Sequence, residues 1–537
     1  MADRHKRLSL LAAIMGSFVA GHDATAVNVA LPAIRADLGG GLAGQQWVSN
    51  AYLLALGSLI LIGGSLGDVF GERRVFSIGV GGFGVVSLLC AVAPSIEFLI
   101  AFRALQGAFG ALLMPSSLAV IVAAFPREER GGAIGSWTAW AGIATVIGPL
   151  AGGWLVDAVS WRLIFAINLP FVIATLMLVS LAVPARTDHV RHGRVDWIGA
   201  GLTFFGLAGP VLALIRQPVV GWGSPEVWAP LIGGLALLAV FIYHESHTGS
   251  PMLPLGLFKR RNFAIGNLQT FTMYGGLGIV FFMLVLYLQE VAGYSALAAG
   301  FALLPSTIIM FLFSKRVGRL ADRFGPRIFM GLGPLTAAAG VALMLRLGAH
   351  VDYLTDLFPA LVVFSAGLTA TVAPLTATVL SDADEANAGI ASGVNNAVAR
   401  VAGLIAIAAV GAIISTQFRT TLDGRLAGIT LSAPARAAVA QARQQTLARV
   451  DPARAGVAVA HAVQSASVHA FHVGIGISAA LVAIGGVLGL AGIRNPRRAV
   501  RCEDCAGGQL AGQPLDAARE RLRARRRTRA RAPQTAA

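Results

Sequence analysis

Fourteen windows of about 17 to 25 mostly apolar residues recur along this chain, each long enough to cross a hydrocarbon core of about 30 Å as a helix. They fall at 8–31, 47–66, 75–93, 98–124, 133–156 and 163–183, then 197–215 and 227–243, then 263–288, 298–313, 328–345, 358–380, 390–414 and 473–493. A backbone exposed to lipid must satisfy its own hydrogen bonds, and these runs lack the alternation of a barrel strand, so each reads as a helix. Composition agrees: 56% hydrophobic, only 13% charged, with mean hydropathy +0.71, is the balance of a chain whose solvent is the bilayer. The expected fold is an all-α membrane protein of fourteen transmembrane helices. The first run follows a basic start and superficially resembles a signal peptide, but it is too long for one and lacks a suitably placed cleavage site.

A net charge of +16 would suggest a nucleic-acid partner in a soluble protein, but here the arginines occupy short loops and the last forty residues. One side of the alternating spans collects Arg4, Lys6, Arg7, Arg73, Arg74, Arg127, Arg130, Arg186, Arg191, Arg194, Lys259, Arg260, Arg261, Lys315, Arg316, Arg319, Arg323 and Arg327. The opposite short loops hold Arg35, Arg162, Arg216 and Arg346. Positive residues stay inside, so this bias puts both termini in the cytoplasm of a cell whose inner (plasma) membrane the chain crosses. The resulting organisation is a cytoplasmic N-terminus (1–7), a first six-helix bundle (8–183), two additional helices (197–243), a second six-helix bundle (263–493) and a basic, disordered cytoplasmic tail (494–537) that touches anionic lipid or a partner. Within the second bundle, 415–472 is a long external loop with a helical-looking pattern, either a cap over the outer mouth or a passive surface loop. Three cysteines give no disulfide framework; Cys502 and Cys505 supply two metal ligands at most, and no metal site is expected.

An internal repeat supports the division into halves. Gly64-Ser-Leu-Gly-Asp68-Val-Phe-Gly71-Glu-Arg73-Arg74 follows the second window, and Gly318-Arg-Leu-Ala-Asp322-Arg-Phe-Gly325-Pro-Arg327 follows the tenth. Repeated halves are a common way to build a central site that opens alternately to either side. The glycines permit tight turns and close helix approach, while Asp68, Arg73, Arg74 and Asp322 can pair or cap helix ends, so Gly64, Gly71 and these four are candidates for conformational gating.

These segments resemble the signature loop of the major facilitator superfamily, and four further motifs agree with it. Leu99-x3-Arg103-x2-Gln106-Gly107-x2-Gly110 is similar to the fourth-helix motif, and Gly142-x5-Gly148-Pro149-x2-Gly152-Gly153 to the fifth-helix antiporter motif. Asp23-x-Thr25-x2-Asn28-x-Ala-Leu-Pro32 and Trp161-Arg162-x2-Phe165-x-Ile-Asn168-x-Pro170 resemble the first-helix motif and the opening of helix six in the fourteen-helix drug:proton antiporter branch. The resemblance covers residues 8–495 and implies a major facilitator fold with two six-helix halves plus two central helices. It further implies export of a small amphiphilic drug or toxin, driven by the proton gradient without a cofactor, by a monomer in contact with membrane lipid. Glu72, where the loop motif commonly has a basic residue, and Pro326 after Gly325 depart from the pattern.

Charges inside membrane spans are costly and mark function or pairing. Asp23 and Arg103 lie at comparable depths, roughly 12 Å and 8 Å from the outer ends of their windows at helical rise. Desolvation raises a carboxyl pKa and a nearby guanidinium lowers it, so movement between the two helices can load or release a proton. Asp23 as proton carrier with Arg103 as modulator is one reading; a static ion pair holding two helices together is the other. Gly142, Gly148, Pro149, Gly152 and Gly153 give a hinge-capable, closely packing surface. Arg400, after Asn395 and Asn396, is read either as a substrate contact or as a bundle-facing arginine paired to carbonyls or a carboxylate. Asn28, Gln106, Trp137, Trp140, Phe271 and Tyr274 complete the candidate cavity residues, the aromatics suiting flat or cationic ligands by stacking; packing and lipid contact is their alternative. No Ser/His/Asp set, clustered metal ligands or phosphate-binding loop is present, which argues against an enzyme. A nutrient symporter or facilitated importer, and a non-transporting membrane sensor, remain the rival functions.

Overall fold

The computed structural model describes residues 2–183, 195–249, 251–381 and 388–495. The side chains of Asp68 and Asp322, the surroundings of Gly142, the linker arginines Arg186, Arg191 and Arg194, and Cys502 and Cys505 lie outside the described residues. Residues up to Arg494 form one compact unit, and Asn495–Ala537 is a second, of which only Asn495 is described.

The elements of the first bundle are α1 (Ala2–Leu38), α2 (Gly41–Phe70), α3 (Glu72–Ala91), α4 (Ile96–Ala124), α5 (Arg127–Ala158), and the pair α6 (Leu163–Ala166) and α7 (Asn168–Ala182), which together make one span. The additional pair is α8 (Trp197–Val220) and α9 (Pro225–His247). The last bundle contains α10 (Arg261–Glu290), α11 (Ala296–Ala302) running into α12 (Leu304–Phe324), α13 (Pro326–Leu343), α14 (Phe358–Ser381), α15 (Ala388–Leu426), α16 (Ala433–Gln445), α17 (Pro452–Ala455) and α18 (Val457–Gly492). Among the described residues, 13 helical segments are long and apolar enough to cross a membrane. The 32-residue α5 stands between the fourth and fifth of them, where the apolar window at 133–156 places a span.

The repeat in the sequence is a repeat in the backbone. Gly71 joins α2 to α3 with φ 87° and ψ 135°, and Gly325 joins α12 to α13 with φ 88° and ψ 149°, a region in which a side chain would be strained. Their amides donate to Gly67 O (3.0 Å) and Ala321 O (2.8 Å), closing the preceding helix in the same way. Pro326 then opens α13, where its missing N–H costs nothing. In the first bundle Arg73 Nη2 donates to Ser180 O of α7 at 3.4 Å, and Arg74 is exposed.

The segment 415–472 is corrected: it is not a loop. α15 continues to Leu426 and α18 begins at Val457, with α16 and α17 between them. Alanine-rich sequence with few breakers propagates helix, and Ala435, Val439, Ala442, Leu447 and Ala448 are buried beneath it. The segment reaches the first bundle, since the Gln444 carbonyl lies against Gly41 at the start of α2. Arg443 Nη2 binds Asp423 Oδ1 at 2.5 Å and ties α16 to α15. The additional pair α8 and α9 packs together through Gly206, Gly209 and Gly234, where small residues let the backbones approach.

Candidate functional site

The polar residues of the first bundle converge on one buried carboxylate. Asp23 on α1 and Arg103 on α4 are each 1% exposed, and Arg103 Nη1 lies 2.5 Å from Asp23 Oδ2. The other oxygen, Oδ1, accepts from Gln106 Nε2 (3.1 Å) and Asn168 Nδ2 (3.3 Å). Both amides also reach Ser87 Oγ on α3, at 2.8 Å and 3.3 Å. Arg103 Nε donates to Val48 O at 3.2 Å, and its guanidinium lies 4.3 Å from the centre of the Tyr52 ring. Five spans therefore meet in one network around the carboxylate and its guanidinium, α3 joining it through the bonds of Ser87 to the two amides. Such a network is favourable only while every member is satisfied.

The local sequence explains the convergence. Arg103 and Gln106 are three residues apart and so share one face of α4. Gly107 follows them and sits against the Tyr52 carbonyl of α2, where any side chain would force the two helices apart. Asn168 opens α7, after the break that ends α6. Neither Ser87 nor Asn168 stands out as a site residue in the sequence. The available signal for Asn168 is its place in the Trp161–Pro170 motif; Ser87, one hydroxyl in an apolar run, carries none.

Beyond this cluster lies a central cavity of about 500 Å³ between the two bundles. Arg103, Asn28, Tyr52 and Pro149 line it from the first half, and Tyr274, Phe281, Asn395, Asn396 and Arg400 from the second. Asn28 Oδ1 accepts from Ser49 Oγ (3.3 Å), and Asn395 Nδ2 donates to Thr270 Oγ1 (2.8 Å) and Asn267 Oδ1 (3.2 Å). Arg400 sits where α15 meets α2 at Gly57.

Four candidates do not line the cavity, which corrects their assignment as cavity residues. Gln106 is fully buried in the Asp23 cluster. Trp137 Nε1 donates to Ser17 Oγ at 2.7 Å within the first bundle, and its ring packs in that bundle's core. Trp140 and Phe271 are 47% and 38% exposed and belong to the outer surface. The physical reason is common to all four: a helix that is apolar around most of its circumference does not announce which face looks inward.

The glycines of α5 divide between two neighbours. Gly148 and Gly152 lie against α1, at the His22 carbonyl and at Ala26, while Gly153 lies against Ala296 and Leu297 of α11 in the other bundle. One turn further on, Asp157 accepts from the backbone amides of Ala296 (3.2 Å) and Leu297 (2.8 Å), capping α11 across the interface. Arg35 pairs with Glu290 at 2.9 Å, each side chain 13% exposed, and Gln289 Nε2 donates to Val29 O at 3.0 Å. These bonds close the end of the molecule at which α1 and α10 finish. A Cβ on Gly153 would meet backbone atoms of Ala296 and Leu297 at 2.7–2.9 Å. Gly153→Val is therefore expected to oppose closure by an overpacking cost of about 1–3 kcal/mol, roughly a five- to 150-fold shift in the conformational equilibrium. Pulsed dipolar spectroscopy between spin labels at Leu38 and Ala292 would register it as a longer distance population.

With this architecture in place, comparison with known proteins decides the family. The family model for the Major Facilitator Superfamily matches residues 13–407. The chain belongs to the Major Facilitator Superfamily. A probable actinorhodin transporter of Streptomyces coelicolor is 34% identical over 423 residues, covering 76% of this chain and 72% of that protein. The multidrug resistance protein Stp of Mycobacterium tuberculosis is 32% identical over 429 residues, covering 79% of each. Among solved structures, a bacterial homologue of the human lysosomal transporter Spinster, inward-facing and unoccupied, aligns with TM-score 0.61 at 16% identity over 92% of this chain and 99% of that one. That likeness shows the fold. This superfamily member is thus a multi-pass membrane protein with the major facilitator fold, and its two bundles meet around the cavity and seal against each other at one end.

Proposed function

We propose that the protein is a proton-coupled exporter of small toxic amphiphiles, working by alternating access across the inner (plasma) membrane with both termini in the cytoplasm. The observation that carries this reading is the buried carboxylate of Asp23, held by Arg103, a residue that also lines the central cavity. A proton on Asp23 removes the charge that Arg103 neutralises and loosens the cluster that joins five spans. The cavity wall and the proton site thereby share one residue, as exchange of substrate for proton requires. Relatives at 32–34% identity that carry transporter or multidrug-resistance names support export. Energy comes from the proton gradient, with no cofactor. The repeat loops that end at Gly71 and Gly325 act as the cytoplasmic gate, and the Arg35–Glu290 pair and the Asp157 cap as the opposite one.

Everted vesicles that acidify their interior by respiration test this directly. A pH-reporting dye is expected to show proton release when an exported compound is added, in proportion to the amount of protein. If no compound of a broad toxic panel releases protons while labelled nutrients accumulate in intact cells, the protein is an importer and the export reading falls.

A further inference from the structure

The central cavity is electrostatically one-sided. Two arginines line it, and among the described residues no aspartate or glutamate does. The charge of Arg103 is matched by Asp23 at 2.5 Å. That of Arg400 is not: among the described residues its guanidinium has neither an ion-pair nor a hydrogen-bond partner, although it is half-buried within the membrane-spanning helix Ile390–Leu426. An intramembrane cation without a counter-charge is costly and is retained where something supplies the missing charge. Its surroundings favour an oxygen-rich group. The hydroxyl of Tyr274 has no hydrogen-bond partner among the described residues, and Asn28, whose Oδ1 is taken by Ser49, has its amide N–H groups to offer. The rest of the wall combines apolar side chains, Leu277, Phe281 and Met310 among them, with neutral polar ones such as Ser306, Thr307 and Asn396.

We infer that the cargo is an amphiphile bearing one acidic group, a carboxylate or sulfonate, which Arg400 binds while the apolar body fills the cavity. A guanidinium presents a planar fork of donors that matches the two oxygens of such a group, and it repels a compact organic cation. This rests on the export reading and adds a consequence to it. If one monoanion leaves for each proton that enters, two elementary charges move inward per cycle, against one for a neutral cargo and none for a monovalent cation. Export of the acid is then driven by membrane potential as well as by the pH difference.

Binding to the full-length protein in nanodiscs can be followed with three probes built on one ring system: 1-anilinonaphthalene-8-sulfonate, the uncharged N-phenyl-1-naphthylamine, and a trimethylammonium derivative. The sulfonate is expected to bind at least about tenfold more tightly than either of the others. Arg400→Gln is expected to erase that preference without weakening the uncharged probe, and Arg400→Lys to retain part of it. In proteoliposomes with a fixed pH gradient, collapsing the membrane potential with valinomycin and potassium is expected to slow sulfonate export. Equal or tighter binding of the cation, or a sulfonate preference untouched by Arg400→Gln in protein that elutes as a single species, would overturn the inference. If the variant does not fold, probe selectivity and voltage dependence of the unaltered protein decide it. Proton-driven export of the neutral or cationic probe alone would refute the acidic cargo and leave the exporter standing, whereas proton-independent behaviour of all three would remove the exporter reading itself.

Discussion

Asp23→Asn is expected to abolish proton release upon substrate addition; it also leaves the buried Arg103 guanidinium without its counter-charge and so lowers stability, while the protein that folds still binds its cargo. The amide keeps the shape of the side chain and one oxygen that can accept from Arg103 Nη1, but its NH2 then faces Gln106 Nε2 and Asn168 Nδ2, which are donors, so that side of the cluster loses its acceptor. What it cannot do is carry a proton on and off. Substrate-dependent proton release in everted vesicles should therefore fall to background, at least about a hundredfold below the unaltered protein if the carboxyl is the obligatory carrier. Substrate–substrate exchange, which needs no net proton movement, should persist. That combination separates coupling from structure. Were Asp23 only one half of a static tie, both processes would change together, through lost stability.

Arg103→Leu is expected to act in a different way, by destabilising the fold. It strands the Asp23 carboxylate, whose side chain is 0% exposed, with only neutral donors from Gln106 and Asn168. Breaking a buried pair by removing one partner costs about 3–5 kcal/mol, because the remaining charge is left uncompensated. The loss should appear as a much lower thermal midpoint in detergent. Combining Arg103→Leu with Asp23→Asn should recover most of the deficit, since the uncompensated charge is then gone. A double substitution no more stable than Arg103→Leu alone would show that the guanidinium's packing on Tyr52, rather than its charge, is what the fold needs.

Much of this architecture is legible in the sequence because the bilayer imposes a single demand on every span. Asp23, Arg103 and Arg400 stand out for the same reason: a charge in an apolar run is expensive enough to be conspicuous. The neutral members of the cluster are not conspicuous. Ser87 and Asn168 are cheap to bury when hydrogen-bonded, and only their geometry shows that they complete the shell of one carboxylate. The pairing of Arg35 with Glu290 escapes notice for another reason. Hydropathy windows stop where the hydrocarbon stops, at 31 and 288, whereas α1 and α10 run on to Leu38 and Glu290 and pair their overhanging ends. Trp137, Trp140 and Phe271 were legible as aromatics on spans, but the face they occupy depends on helix rotation, which apolar sequence does not encode.

The extension of α15 beyond its apolar window has a mechanical side. One uninterrupted helix of 39 residues carries Arg400 at the cavity wall and Asp423 near its far end, where Arg443 fastens α16 to it. The 23 residues between those positions span roughly 35 Å, so a tilt of about 10° at the cavity would swing the distal end by roughly 6 Å. The helix is a lever whose short arm feels the cargo and whose long arm moves the surface. An antibody fragment gripping α16 would hold that arm still, and could arrest transport without ever approaching the site where cargo binds.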